Sequence, residues 1–540
     1  MMCWKFVFPQ ETTEMLRYRR GRGAECSRRG FILLLVLVVT ALLSFAVYSF
    51  SHLMVLEATA ASESLQQLRR RRLAESAIEL ATAGIRQRLA GRIAPQLDLL
   101  LDDGQRARLL LLQSLPTNGA ELRRGLVNES SRLNLGTLPL QLSRRQQSRN
   151  RLLALPGVTP PLADAILDWM DEDNDPSEFG AEAAWYLSQS PPRLPRNGVF
   201  QDLHELLQVR GMTAELLYGE DQNANGVLDP EENDGSLTAP ADNRDGVLQT
   251  GLSALLTLVS AESSGADRGG CILINDNDLA GLYDRVQTRF GSEAALFVVA
   301  GRLNGINWLD DLRPDEGEDM ETRRLERLEQ AEARLNAQLG LNKTPGGQDS
   351  STSRGGLLLT GRPVFSFRSL VDLFGGEVRA TVSGEDRLLR SPWPSDPATV
   401  SRMLPEFERA FALTGDSVIR GRINVNSAAA EVLATIPGIS ESAARSIRSL
   451  QPRSLQGLTA EDGSVAWLLS RGLVTMGEFR AIAPLITSGG DVFSGFAVGQ
   501  IIGRQPVAVI HFVLDASRQS PQVLQLEDLP VMSADIAGLR

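Results

Sequence analysis

The sequence predicts an α+β protein: a long N-terminal helix followed by an antiparallel sheet that a large α-helical insertion interrupts. Three observations predict it. A run without a charged side chain extends from Phe31 through Leu56, and apolar residues then recur at near-helical spacing (Leu65, Leu68, Leu73, Ile78, Leu80, Ile85) with no proline before Pro95. Apolar residues alternate on both sides of a polar cluster near Gly125, and strand-like stretches return at Phe496–Ile502, Val507–Leu514 and Gln522–Leu526. Between these ends, short helical segments are joined by Pro-Gly turns.

The first element is a membrane helix. The 26 residues from Phe31 to Leu56 span roughly 39 Å as a helix, more than the approximately 30 Å hydrocarbon core of a bilayer. A secretory signal would have a shorter apolar region closed by a small-x-small cleavage site, whereas here Gly30 precedes the run. Cleavage at Gly30 would keep the helix on the mature chain; a plain anchor accounts for the apolar run alone. The segment before Phe31 holds seven Lys/Arg and three acids, which puts the N-terminus in the cytoplasm and the globular part outside.

Composition fits an anchored, extracytoplasmic protein. At 540 residues and 43% hydrophobic, the chain can furnish more than one core. Beyond Gly30 it carries 48 basic against 63 acidic residues, a net charge of −15. Cys3 and Cys26 lie before Gly30, leaving Cys271 without an intrachain partner, so any stapling would come from another source such as a metal. The basic run Arg69–Arg72 reads as a solvated helix face.

The basic leader, the Gly30-Phe31 junction and the apolar run resemble the class III signal of type IV pilins and of type II secretion pseudopilins. That resemblance implies cleavage after Gly30 by a prepilin peptidase and methylation of Phe31. Most such proteins carry Glu at the fifth mature position; Leu35 stands here, a departure common in K-type minor pseudopilins (the general secretion pathway protein K family). Leu73-Ala74-Glu75-Ser76-Ala77-Ile78-Glu79 and Glu129-Ser130-Ser131-Arg132-Leu133-Asn134-Leu135 are similar to K-type segments. The segments Leu152–Leu167 and Asn424–Ile447, each two short helices about a Pro-Gly turn, look like helix-hairpin-helix units.

The resemblance divides the chain into a leader (1–30), a transmembrane and amphipathic spine helix (31–95), the first part of a pilin-like sheet domain (96–145), an α-rich inserted domain (146–490) and C-terminal strands completing the sheet (491–540). It implies a single-pass inner-membrane protein with a periplasmic globular part, at the tip of the secretion pseudopilus with I- and J-type minor pseudopilins. A DNA-uptake minor pilin is the alternative, because such hairpins can approach phosphate. Nucleic acid is nevertheless not the expected partner: Thr159 and Ser440 replace the second glycine of a phosphate-binding turn, and an acidic stretch follows the first hairpin.

The sharpest chemical motif is Asp221–Glu232. Asp221, Asn223, Asn225, Val227 (through its carbonyl), Asp229 and Glu232 occupy the six ligand positions of a twelve-residue EF-hand-type loop, with Gly226 at the sharp turn. Pro230 argues against a regular exiting helix, so a structural Ca²⁺ is expected rather than a sensor. Asp171, Asp173, Asp175 and Glu182 form a second, weaker set, with Pro176 where glycine is wanted. Asp168-Trp-x-Asp-x-Asp and Gly180-Ala-Glu182-x-x-x-Tyr186 around it resemble a K-family pattern, and that family's globular domain binds calcium; a helix-capping acidic loop is the competing reading. Asp242, Asn243, Asp245 and Gly246 are a third, incomplete set, lacking the bidentate acid.

Asp315–Gly340 reads as a charged surface helix and Lys343–Gly356 as a flexible linker. The three histidines, His52, His204 and His511, fall in the membrane segment, an amphipathic helix and a strand, where no Cys or Ser suggests a nucleophile–base pair, and no phosphate loop or zinc pattern occurs, so an enzyme is not expected.

Overall fold

The computed structural model describes residues 28–86, 95–102, 104–113, 123–221, 228, 230–238, 242–266, 269–308, 353–359, 361–452, 463–503, 507–518 and 520–529. Two compact units divide the chain, Met1–Leu68 and Arg69–Arg540. The first holds most of helix α1 (Arg28–Arg86), a helix long and apolar enough to cross a membrane. Its large side chains from Ile32 to Leu56 are exposed, so the segment needs an apolar surround, which a bilayer supplies to a single-pass anchor.

In the second unit the last turns of α1 lie on an antiparallel sheet. The strand order is Gln96–Leu100, Arg106–Gln113, Val492–Ile501, Ala508–Asp515, Gln522–Asp528, so strands from both ends of the globular chain close one sheet. Leu73, Ala74, Ala77, Ile78, Ala81 and Ile85 form the helix face, spaced three and four apart as packing on a sheet demands. They meet Leu109, Leu111, Ala497, Ile510 and Phe512. The approach is closest at Gly499, where a Cβ would stand 2.0 Å from the Arg70 carbonyl oxygen and 2.6 Å from the Ala74 nitrogen. Only a residue without a side chain fits there.

The expected sheet near Gly125 begins earlier, at Gln96. Arg106–Gln113 carries four consecutive leucines, Leu109 to Leu112, because both faces of this strand are covered. A strand buried on both faces loses its alternation, and periodicity cannot distinguish it from helix. The Gly125–Leu135 segment supplies only a short strand (Val127–Asn128), a 3₁₀ turn (Glu129–Ser131) and a second short strand (Leu133–Asn134). Glu129 ties the junction together. Its buried carboxylate accepts hydrogen bonds from Thr257 Oγ1 (2.6 Å) and Ser494 Oγ and pairs with Arg132 (3.1 Å). Asn128 Nδ2 donates to the Gly490 carbonyl at 2.9 Å, and Asn134 Nδ2 to Ser260 Oγ at 3.0 Å. These bonds join the point where the chain leaves the sheet to the point where it returns.

The intervening block is helical around one large core that includes Trp169, Tyr186, Phe297, Phe374, Phe407 and Trp467. It is not wholly α-helical. Asn307–Trp308, Ser353–Arg354, Leu357–Leu358, Gly376–Val382 and Glu385–Arg390 build a second, five-stranded sheet. Ser353–Gly356, the end of the stretch read as a linker, belongs to it: Ser353 and Arg354 pair with Leu358 and Leu357 across a turn in which Gly355 and Gly356 have positive φ. The charged helix expected over Asp315–Gly340 lies outside the described residues.

Candidate metal centre

Two helices and the loop after them build an acidic centre. Helix α2 (Leu142–Leu153) runs through the Pro156-Gly157 turn into α3 (Pro160–Met170), which begins with proline in its first turn and is buried from Leu162 to Met170. Gly157 has φ +74°, and a Cβ there would lie 2.6 Å from Leu216 Cδ1, so this turn packs against protein. Asp168 and Asp171, three residues apart at the end of α3, face the same way. The chain then loops back to Glu182, which precedes α4 (Ala183–Leu187).

Carboxylate oxygens of Asp168, Asp171 and Glu182 all lie within 4.8 Å of one another, and all three residues are buried. Asp168 is held firmly. Ser177 donates to it from its backbone nitrogen (3.1 Å) and from Oγ (2.7 Å), and Gly180 lies so near that a Cβ would fall 1.7 Å from Oδ2. Arg145, from α2, bridges Asp168 Oδ1 and Asp171 Oδ2 with its two terminal nitrogens. Three carboxylates against one guanidinium leave the cluster short of positive charge by two when all are ionised.

The shortfall is visible in unmet bonds. Glu182 is 3% exposed, yet neither of its carboxylate oxygens has a hydrogen-bond partner, and Asp171 Oδ1 has none either. Buried acceptors of this kind are rare because each forfeits its hydration. Glu182 precedes α4 without a side-chain capping hydrogen bond, and the attraction of the Ala183 backbone N–H is the smallest of the influences on its carboxyl. Burial, reinforced by Asp171, Asp168 and Asp173, pushes the Glu182 carboxyl up to about 7. Burial also raises Asp171 and Asp168 above the usual carboxylate range, against the pull of Arg145 on the first and of Ser177 on the second. A divalent cation would relieve all three. The donors are oxygens only, which suits a hard cation such as Ca²⁺ and not zinc, so the residues fit the expected metal.

The sequence-derived set is thereby altered. Asp171 and Glu182 come together, but Asp173 and Asp175 do not join them: both are exposed, and Asp173 Oδ1 accepts the Asp175 backbone N–H at 2.9 Å. Asp168, one helical turn before Asp171, takes their place. Arg145 and Ser177 were not identified from the sequence.

Of the twelve-residue loop, Asn223, Asn225, Val227 and Asp229 lie outside the described residues. Its terminal acids, Asp221 and Glu232, are both 7% exposed. Glu232 closes a single 3₁₀ turn, Pro230–Glu232. The third set does not offer a free carboxylate. Asp242 accepts backbone N–H bonds from Asp234, Gly235 and Arg244, each at 2.7 Å, and these outweigh desolvation to hold its carboxyl below the usual range. Gly30 and Phe31 fall in the first turn of α1.

The second hairpin pairs the helix Ala430–Leu433 with Glu441–Leu450 across Gly438, at φ +89°. In the first, three of the four arginines of α2 turn inward: Arg145 to Asp168 and Asp171, Arg149 to Asp164, while Arg151 is 6% exposed; Arg144 faces solvent. The inward pairing of Arg145 and Arg149 takes those two charges away from any phosphate backbone. His204 packs on Tyr218 and His511 on Phe496, far apart in the chain.

Residues 131–218, which contain this entire centre, match the family model described as Type II secretion system (T2SS), protein K. Type II secretion system protein K of Klebsiella pneumoniae is 44% identical over 55 residues, which is 10% of this chain and 17% of that protein. The chain thus aligns with about a sixth of that relative's length. Among solved structures, the chain is similar to one in the crystal structure of the GspK-GspI-GspJ complex from the enterotoxigenic Escherichia coli type 2 secretion system. That match has a TM-score of 0.36 and 10% identity, over 87% of this chain and 98% of the other. The likeness to K-type pseudopilins read from the sequence is therefore shown over residues 131–218.

Proposed function

We propose that this chain is a K-type minor pseudopilin of a type II secretion system, working at the tip of the pseudopilus with I- and J-type minor pseudopilins to support protein export. The observation that carries the reading is the family match at 131–218, behind an apolar anchor helix whose last turns pack on an antiparallel sheet. In this reading a prepilin peptidase cuts between Gly30 and Phe31, the apolar run stays in the inner membrane and the second unit is periplasmic. The inward pairing of Arg145 and Arg149 gives the DNA-uptake alternative no support.

Two calcium positions belong to the proposal. At the first, Asp168, Asp171 and Glu182 would hold the ion; at the second, Asp221, Asn223, Asn225, Val227, Asp229 and Glu232 would. A bound ion supplies the positive charge that keeps buried carboxylates together, and Cys271 is a free thiol among the described residues. Glu232→Gln removes a bidentate ligand and should lower the calcium-dependent rise in melting temperature, whereas Glu231→Gln, exposed and not a ligand, should leave it unchanged. Equal melting temperatures with calcium and with chelator would end the calcium reading. The assembly reading is tested by affinity purification of the tagged full chain from detergent-solubilised membranes. I- and J-type pseudopilins should co-elute in stoichiometric amounts; their absence would contradict it.

A further inference from the structure

We propose that Arg145 is a resident placeholder cation: it occupies the acidic centre before metal is loaded, keeps the metal-free chain folded and weakens the affinity of the loaded site. This rests on the calcium reading of Asp168, Asp171 and Glu182 given above. The guanidinium joins Asp168 Oδ1 to Asp171 Oδ2, bridging two carboxylates as a divalent ion would. It also donates to Ser177 Oγ at 2.9 Å. Glu182 is left with two unpartnered oxygens, so one positive charge only partly meets the demand of the cluster.

A rival role would make Arg145 a fixed clamp that orients the ligands, the usual task of residues behind a metal site. Two features disfavour it. Asp168 is already oriented by the Ser177 nitrogen and hydroxyl and by the close approach of Gly180, without help from the guanidinium. The Arg145 side chain is also the most exposed of the group, at 18% against 0% for Asp168 and 9% for Asp171, and its flexible stem gives it a way out toward water. What remains for it is charge. A cation beside an incoming divalent ion repels it strongly in a buried site, and the same cation offsets the mutual repulsion of the carboxylates when no metal is present.

The two roles predict opposite signs. Losing a clamp weakens metal binding by about 10–100-fold; losing a placeholder strengthens it. The test is calorimetric titration of Ca²⁺ into the chelator-treated full chain in detergent, in a Glu232→Gln background that silences the second loop, with melting curves in chelator and in calcium. Arg145→Gln should bind at least about tenfold tighter than its parent. It should also melt lower in chelator and gain more on adding calcium. Arg145→Lys keeps the charge without the fork and should bind within roughly threefold of the parent. Recovery of folded Arg145→Gln only in the presence of calcium would also support the proposal. Equal or weaker binding by Arg145→Gln while the parent takes up calcium overturns it and leaves the calcium reading standing. A parent that takes up none overturns both. If Arg145→Gln cannot be recovered at all, Arg145→Lys decides, and a tenfold weaker constant there overturns the proposal.

Discussion

Glu182 concentrates the chemistry of the centre in one side chain. Its carboxyl is raised from the ordinary 4.5 to about 7, first by burial and then by the charges of Asp171, Asp168 and Asp173. The unfolded chain therefore gives up this proton more readily than the folded one between those values, and the metal-free protein loses stability as pH rises through that window. Below about 4.5 the penalty is absent. Melting curves in chelator should show a higher transition at pH 5 than at pH 8, and Glu182→Gln should remove most of that difference. An unchanged difference in the variant would contradict the assignment. Asp168, Asp171 and Glu182 were all within view of the sequence, in a run of acids near a Gly-Ala-Glu. Which of them converge was not, because Asp173 and Asp175 sit at equally plausible spacing and only the end of α3 distinguishes them. Arg145, 23 residues before Asp168, carried no local signal at all.

At the scale of elements, the seat of α1 on the sheet depends on Gly499. Its place opposite Arg70 and Ala74 leaves no room for a methyl group, and the obstacle is helix backbone rather than a movable side chain. Gly499→Val should destabilise the chain by about 1–3 kcal/mol or more through overpacking. Gly489→Ala, where a Cβ meets nothing within 4 Å, serves as the control and should be near neutral. Urea denaturation measures both, and equal midpoints would contradict the packing described. The three C-terminal strands were legible because Val492–Ile501, Ala508–Asp515 and Gln522–Asp528 are set apart by breaks such as Gly503. Gly376–Val382 alternates buried and open positions faithfully, yet its apolar face, Val378, Ala380 and Val382, is small and carries only a weak strand signal.

At the scale of the whole molecule, the long-range joins were the least legible. Glu129 meets Ser494 across 365 residues, and no periodicity reports such a contact. The apolar helix was legible because a long uncharged run is a property of composition. The central claim, that the chain is built and processed as a pseudopilin, is tested most directly by the N-terminus of the mature protein. Intact-mass and N-terminal peptide mass spectrometry of the membrane-extracted chain should find it beginning at a methylated Phe31, with Gly30→Leu leaving the precursor uncut. A mature chain that begins after Leu56, beyond the apolar run, would contradict the account.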